Sequence, residues 1–97
     1  MVLRFEWDER KARSNVRRHR VSFEEAQTVF FDDYSLMIDD PDHSADEHRL
    51  ILLGLSSSLR VLAVCHTYRR EGEVIRIISA RRADPKERRQ YESRGRR

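Results

Sequence analysis

The stretch Leu59–Ala80, LRVLAVCHTYRREGEVIRIISA, decides the fold, because two apolar runs flank a short polar turn. The turn contains Glu71-Gly72 and is typical of a β-hairpin. The runs Leu59–Tyr68 and Val74–Ala80 are therefore predicted to be antiparallel strands. Both runs are largely apolar on both faces, so we expect them at the centre of a sheet that is covered on at least part of each side.

Further strands are predicted on the N-terminal side of this hairpin. Arg49–Leu55 precedes it across the turn Ser56-Ser57-Ser58, and Ser35–Ile38 forms a shorter strand before a polar loop. Phe5–Trp7 is either a short additional strand or an extended segment that leads into the first helix.

Two helices are predicted before the sheet. Asp8 can cap a first helix that runs to about Arg18. The apolar side of this helix is predicted to consist of Trp7, Ala12 and Val16. Ser22 and Glu25 have the spacing of a capping box at the start of a second helix. Residues at helical spacing predict its core-facing side: Phe23, Ala26, Val29 and Phe30.

A third helix is predicted after the sheet. Asp84 caps it, Pro85 takes its first position, Glu87 completes a second capping box, and Gly95 marks its end. Together the elements predict an α+β fold. It has two N-terminal helices, a four-stranded antiparallel sheet that a short N-terminal strand could extend, and a C-terminal helix.

The 97 residues allow a single domain, residues 1–97, with one core. Apolar and charged residues each make up 38% of the chain, and the regular spacing of the apolar ones argues against disorder. The single cysteine, Cys65, is expected to be a small buried hydrophobe in a reducing compartment, with a catalytic thiol as the alternative. The sequence has no apolar signal core, no membrane-length segment and no cofactor motif, so we expect a soluble cytoplasmic protein without a cofactor.

Charge is distributed unevenly along the chain. Residues 1–20 carry seven basic and three acidic side chains, residues 21–47 carry nine acidic ones and no Lys or Arg, and residues 69–97 carry eleven basic and five acidic ones. Nearly all of the basic residues are Arg, which suits bidentate contacts with phosphate. This distribution predicts one surface for a polyanion and another that repels it or binds a basic partner.

Three segments together resemble the BrnT family of toxins. They are FEWDERKARSNVRRHRVSFEEA from Phe5, DDPDHSADEHRLILLGLSSS from Asp39 and RIISARRADPKERRQYE from Arg76. They cover nearly the whole chain in the family's order, and FEWD, VSFEEA and ISARRA followed by ERxxY are specific in combination. One position departs from the family pattern, because Arg20 stands where members often carry Gly, which would ease the end of the first helix.

The resemblance implies a RelE-like fold and an endoribonuclease that cleaves RNA without a metal ion and inhibits translation. It also implies a neighbouring antitoxin of the BrnA kind, which neutralises the toxin and represses the operon. In this expectation operator DNA is bound only through the DNA-binding domain of the antitoxin. Two rival functions stay open at this point. One is a non-enzymatic nucleic-acid-binding module, and the other is a corepressor subunit of a DNA-binding complex.

Metal-free RNA cleavage needs a base for the ribose 2′-hydroxyl, cations for the phosphorane and an acid for the leaving 5′-oxygen. His66 is the candidate proton carrier, with a hydrogen-bonded structural histidine as the alternative. RelE-like toxins place basic side chains on strands and often an aromatic hydroxyl near the C-terminus, and the resemblance carries this pattern onto Arg81, Arg82 and Tyr91. Because Arg81 and Arg82 point to opposite sides of a strand, at most one faces the scissile phosphate, and the other could bind the RNA backbone or an acidic side chain. The alternative for both is solvated charge beyond the end of the strand. Tyr91 could instead pack the last helix on the sheet.

Other basic side chains are expected to bind RNA phosphates, with a solvated surface as the alternative. The candidates are Arg10, Lys11 and Arg13 on the first helix and Arg69, Arg76, Lys86 and Arg88 in the C-terminal half. The acidic segment Asp39–His48 lacks the spacing of a calcium or zinc site. A solvated loop without a metal is therefore predicted there.

Overall fold

The computed structural model describes residues 3–40 and 48–95, which form one sheet with helices on both of its faces. The elements in chain order are β1 (Arg4–Glu6), α1 (Glu9–His19), α2 (Phe23–Thr28), a 3-10 helix η1 (Val29–Phe31), β2 (Leu36–Asp39), β3 (Leu50–Leu55), β4 (Val61–Arg69), β5 (Val74–Arg82) and α3 (Pro85–Gly95). The predicted α+β class is confirmed. Most of the acidic segment, residues 41–47, lies outside the described residues, so its predicted loop is not tested.

The strand order is β1-β5-β4-β3-β2, so the predicted hairpin β4–β5 lies in the interior of the sheet. Strands β2 to β5 pair antiparallel with one another, but β1 is parallel to β5, with Phe5 opposite Ile75. The predicted four-stranded antiparallel sheet is therefore corrected to a five-stranded mixed sheet. Phe5 holds β1 at this edge because its ring packs edge-on against Phe30, with 5.3 Å between the ring centroids.

The helices begin where the sequence predicts them. Asp8 accepts hydrogen bonds from two backbone N–H groups of α1, and Ser22 Oγ accepts one from Glu25 N at 3.0 Å. The predicted capping box of α2 is only half formed, because the Glu25 carboxylate binds Ser56 and Arg60 instead of the backbone of Ser22. Ionic and hydroxyl donors from a neighbouring hairpin stabilise this carboxylate more strongly than one backbone N–H.

Side chains pack on both faces of the sheet. The larger cluster lies under α1, α2 and η1 and includes Phe23, Val29, Leu62 and Ile77. The smaller one, around Leu53, lies under α3. Within the described residues no helix has the length and apolar content needed to cross a membrane.

One prediction for α1 is wrong. Ala12 is buried as expected, but the second buried residue of the helix is Asn15, and Val16 is 42% exposed. The inner side of α1 is therefore rotated by one residue from the predicted one, so that the Asn15 amide, not an apolar side chain, meets β5.

A β-bulge decides which face of the sheet the side chains of β5 take. The register shift falls between Cys65 and His66 of β4, and it leaves Ile78 without an opposite residue. Ile77 consequently lies in the core under α1 and α2, whereas Arg81 lies on the opposite face, against α3. Simple alternation would have placed these two side chains on the same face.

Candidate active site

A cleft of about 500 Å³ opens between α3 and the sheet. Three cationic side chains line it: Arg49 beside β3, Arg81 on β5 and Lys86 in the first turn of α3. The lining also includes Ser79, Cys65 and four carboxylates, those of Asp39, Asp40, Asp84 and Glu87. The fold thus brings together positive charges that are far apart in the sequence.

Arg81 is held by the first turn of α3. Its Nη1 and Nη2 donate to the two carboxylate oxygens of Glu87 at 2.7 and 3.0 Å. Glu87 also exchanges hydrogen bonds of 2.9 and 2.8 Å with Asp84, which completes the predicted capping box. The bond with Arg81 holds the pKa of the Glu87 carboxyl below its usual value, so this carboxylate is ionised at neutral pH. The guanidinium of Arg81 is therefore fixed in orientation at the wall of the cleft.

Cys65 and Asp40 lie together in the cleft. Cys65 Sγ donates to Asp40 Oδ2 at 3.5 Å. Burial, followed by the neighbouring carboxylate of Asp40, raises the pKa of the Cys65 thiol to about 11. The thiol is therefore protonated at neutral pH, which disfavours a catalytic role for it. The expectation of a buried cysteine is wrong in extent, because Cys65 is half-buried and lines the cleft.

His66 lies on the other face of the sheet. It is 0% exposed, and its ring packs edge-on against Phe30 and Tyr68 at centroid distances of 4.9 and 5.4 Å. Its Nδ1 lies 3.0 Å from the carbonyl oxygen of Val64 and donates to it, while Nε2 has no hydrogen-bond partner among the described residues. Burial lowers the pKa of this imidazole, so it is neutral. His66 therefore points away from the cleft that holds Arg81, and its role as a proton carrier stays a prediction.

Arg82 and Arg88 line a second cleft of about 430 Å³, which also includes Arg60. Arg82 pairs across the sheet with Leu62, whose side chain lies under α2, so Arg81 and Arg82 point to opposite sides as their alternation predicts. Arg82 and Arg88 therefore lie on a different surface from that of Arg81, and their catalytic and RNA-binding roles stay predictions.

Tyr91 packs α3 on the sheet. Its ring contacts the smaller core cluster, and its hydroxyl donates to Asp32 Oδ2 at 2.6 Å. Burial and this carboxylate raise the pKa of the Tyr91 hydroxyl to about 12. The geometry is that of the packing alternative stated above, and a catalytic role stays a prediction.

Arg69 and Arg76 lie at the far end of the sheet face that carries the cleft. Arg76 Nη1 lies 2.9 Å and Arg69 Nε 3.5 Å from the Glu6 carboxylate. Both guanidinium groups stay partly exposed. They place two further guanidinium groups on this face, and their binding to RNA stays a prediction.

The basic side chains of α1 are exposed: Arg10, Lys11 and Arg13. Lys11 and Arg18 line a small cleft of about 210 Å³. Ser79 lines both this cleft and the larger one, so the basic side of α1 adjoins the cleft of Arg81 across the edge of β5.

Two residues of this region were missed by the sequence predictions. The amide of Asn15 donates to the carbonyl oxygens of Val21 and Ala80, both at 2.8 Å, and accepts from Ala80 N at 3.1 Å. It thereby fixes α1 to the edge of β5. The sequence pattern that could have predicted this role is the position of Asn15, a polar residue three positions after the buried Ala12 on the inner side of the helix. Arg49 had a weaker signal, as the first basic residue after the acidic segment.

Comparison with protein families gives a match over most of the chain. The family described as "Ribonuclease toxin, BrnT, of type II toxin-antitoxin system" matches residues 7–87. The chain belongs to the BrnT family. The resemblance noted in the sequence is thereby confirmed, and membership of a type II toxin-antitoxin family implies an antitoxin partner.

A solved structure has the same fold as this BrnT-family chain. The 1.1 Å crystal structure of the Brucella abortus ribonuclease toxin BrnT is 24% identical in sequence, with a TM-score of 0.66. The match covers 86% of this chain and 99% of the Brucella chain. No curated protein matches the sequence significantly.

The cationic side chains of the cleft all lie within the region matched to the BrnT family, whereas Tyr91 and Arg88 lie beyond it. In the part of the chain that the structure describes, no group of three or more His, Cys, Asp or Glu side chains is placed to hold a metal ion.

Proposed function

We propose that this BrnT-family toxin is a RelE-like endoribonuclease that cuts RNA without a metal ion and thereby inhibits translation. We assign the reaction to the cleft between α3 and the sheet. The observation that carries this assignment is the convergence of Arg49, Arg81 and Lys86 on one cleft from three separate parts of the fold.

The chemistry that this cleft supports is attack of the ribose 2′-oxygen on the adjacent phosphorus. The P–O5′ bond breaks, and the products are a 2′,3′-cyclic phosphate and a 5′-hydroxyl. Negative charge grows on the phosphoryl oxygens in the transition state, and fixed cations stabilise it without having to reorganise. Arg81 fits this role because Glu87 already holds its guanidinium in place.

Proton transfer must also be supplied from this cleft. Carboxylates that line it, among them Asp40, are groups that can accept the proton of the 2′-hydroxyl. Lys86 carries a proton that can be donated to the leaving 5′-oxygen. His66 is a weaker candidate than it was from sequence, because a substrate on the cleft side cannot reach a side chain with no exposure on the opposite face.

The RNA strand is proposed to extend beyond the cleft along the neighbouring positive surface. Arg69 and Arg76 lie on the same sheet face, and Lys11 lies across the edge of β5. Contacts of these side chains with phosphates would release counterions, so binding should weaken steeply as salt rises.

The partner that we propose is an antitoxin of the BrnA kind with a DNA-binding domain. Family membership supports an antitoxin, and the domain would account for repression of an operator by the complex. In this proposal operator DNA is bound through the antitoxin and not by the toxin itself.

The test is incubation of the purified chain with RNA in EDTA, beside the same reaction in Mg²⁺. We expect cleavage in both, with 2′,3′-cyclic phosphate and 5′-hydroxyl ends identified by mass spectrometry of the fragments. Cleavage only in Mg²⁺ would contradict the metal-independent route. A folded sample that binds RNA and never cuts it, with or without ribosomes, would favour the non-enzymatic binding module.

A further inference from the structure

The hairpin between β3 and β4 presents an unusual side chain to solvent. Leu59 is 79% exposed, the largest exposed fraction among the described large apolar residues. Its backbone has φ of 62°, in the left-handed region that a leucine rarely adopts. An exposed apolar residue in a strained conformation persists only when the surroundings impose it, and such positions cluster at functional surfaces.

The surroundings of Leu59 are rigid. Ser56 N and Leu59 N form backbone hydrogen bonds that close the turn, at 2.8 and 2.9 Å. Ser57 N donates to Thr28 Oγ1 at 2.9 Å, and Ser56 Oγ donates to Glu25 at 2.6 Å. The tip of the hairpin is thus tied to α2 by two hydrogen bonds. A contact that is ordered before binding costs little entropy when a partner arrives.

The apolar surface at Leu59 continues across this end of the sheet. Leu55, 36% exposed, lines the second cleft together with Leu59. It also lines a further cleft of about 310 Å³ together with Phe31, which is 67% exposed. We call Phe31, Leu55 and Leu59 the hairpin-end patch. Contiguous apolar patches of this kind on a soluble protein mark sites of interaction.

Positive charge borders the patch at one end. Arg60 is paired with the carboxylate of Glu25, whereas Arg82 and Arg88 are exposed and line the same cleft as Leu59. Glu92 is the acidic side chain in that lining, so the cleft keeps a surplus of positive charge. The arginines of this cleft could bind the phosphates of an RNA strand. Binding of RNA would not explain the exposed aliphatic side chains beside them.

We propose that the hairpin-end patch is the surface on which the antitoxin docks. We expect the docking segment of the antitoxin to carry apolar side chains that contact Phe31, Leu55 and Leu59. It should also carry carboxylates that pair with Arg82 and Arg88, because these arginines are positively charged. This inference rests on membership of a toxin-antitoxin family and not on the ribonuclease activity proposed above. The antitoxin is thereby held on the other side of α3 from the cleft of Arg81, so its binding and RNA cleavage use different side chains.

The test is the affinity of the cognate antitoxin, purified with this toxin and separated from it, for a Leu59→Gly variant. Glycine removes the side chain and adopts positive φ without strain, so the unfolding temperature should stay the same or rise. Leu59→Asn is a second variant, since Asn also tolerates this conformation. Leu3→Gly is the control, because Leu3 is an exposed leucine before β1 that lines neither of the two clefts containing Leu55.

We expect Kd to rise about tenfold or more for both Leu59 variants and by less than twofold for Leu3→Gly. Leu59→Gly toxin should also escape neutralisation when both proteins are produced in one cell. Charge reversal of both Arg82 and Arg88 should weaken binding and flatten its dependence on salt. An affinity unchanged by both Leu59 variants would overturn the proposal, as would loss of binding on Met37→Ser at the β2 edge instead. RNA cleavage without antitoxin is measured on the same samples, so a failure of the ribonuclease proposal is seen separately.

Discussion

Replacement of Asn15 by Leu should destabilise the protein more than any surface change in α1. The substitution keeps the size of the side chain but removes three hydrogen bonds, two to Ala80 and one to Val21. Ala80 and Val21 are both 0% exposed, so water cannot replace the lost partners. The Ala80 N–H loses its acceptor, and two carbonyl oxygens lose a donor.

The expected loss follows from these three groups. An unsatisfied buried polar group costs about 1–3 kcal/mol, with an N–H at the upper end because it has one hydrogen to place. Leucine regains part of this through apolar contact with Ala12, so the net loss should be about 3–4 kcal/mol. That is a large part of the ~5–15 kcal/mol by which a small domain is stable.

The assay is urea unfolding followed by circular dichroism, with the free energy of unfolding extrapolated to water. Arg13→Leu is the matched control, because Arg13 lies on the exposed side of the same helix and should change the free energy by about 0.5 kcal/mol or less. A loss below about 1 kcal/mol for Asn15→Leu would refute the claim that this amide fixes α1 to β5.

Three further predictions concern single side chains. The pKa of His66 is lowered in the folded state, so the free energy of unfolding should decrease as pH falls below about 6.5. His66→Leu should make this decrease smaller in unfolding titrations between about pH 7 and 5. An equal dependence on pH in both proteins would contradict this prediction. Arg20 caps α1 with φ of 58°, so Arg20→Gly should raise the free energy of unfolding by about 0.5–1 kcal/mol, and a decrease would show that no strain is present. Tyr91→Phe removes the 2.6 Å hydrogen bond to Asp32 and should lower the free energy of unfolding by about 1–2 kcal/mol, whereas an unchanged value would mean that the hydroxyl does not anchor α3.

The sequence predicted those elements whose signals are local. Asp8 and the Asp84–Glu87 pair cap their helices as expected, because a cap depends on residues within one turn. The strands of the hairpin appear where two long apolar runs meet a turn. β1 could not be settled in this way, since three residues show no periodicity and its partner β5 lies about seventy positions later.

The candidate site was harder to predict because a single bulge decides it. The alternation of side chains along a strand predicts that Arg81 and Arg82 face opposite sides, but it does not predict which of them shares a face with His66. The extra residue Ile78 in β5 sends Arg81 to the cleft and leaves Arg82 on the side of His66. No local pattern marks this bulge, because Ile78 is as apolar as its neighbours. Arg49 lies at the cleft because the chain enters β3 next to the end of β2, and the pairing of these two strands is not visible in the sequence.

Two adjacent arginines of β5 test most directly whether RNA is cut in the cleft. Arg81→Ala and Arg82→Ala remove the same side chain from opposite faces of β5, so rates of RNA cleavage in EDTA separate the cleft from the other surface. We expect Arg81→Ala to slow cleavage about 10²–10³-fold while the protein stays folded and binds RNA, and Arg82→Ala to stay within a few-fold of the parent. The opposite order, or equal rates for the two variants, would contradict a site in the cleft.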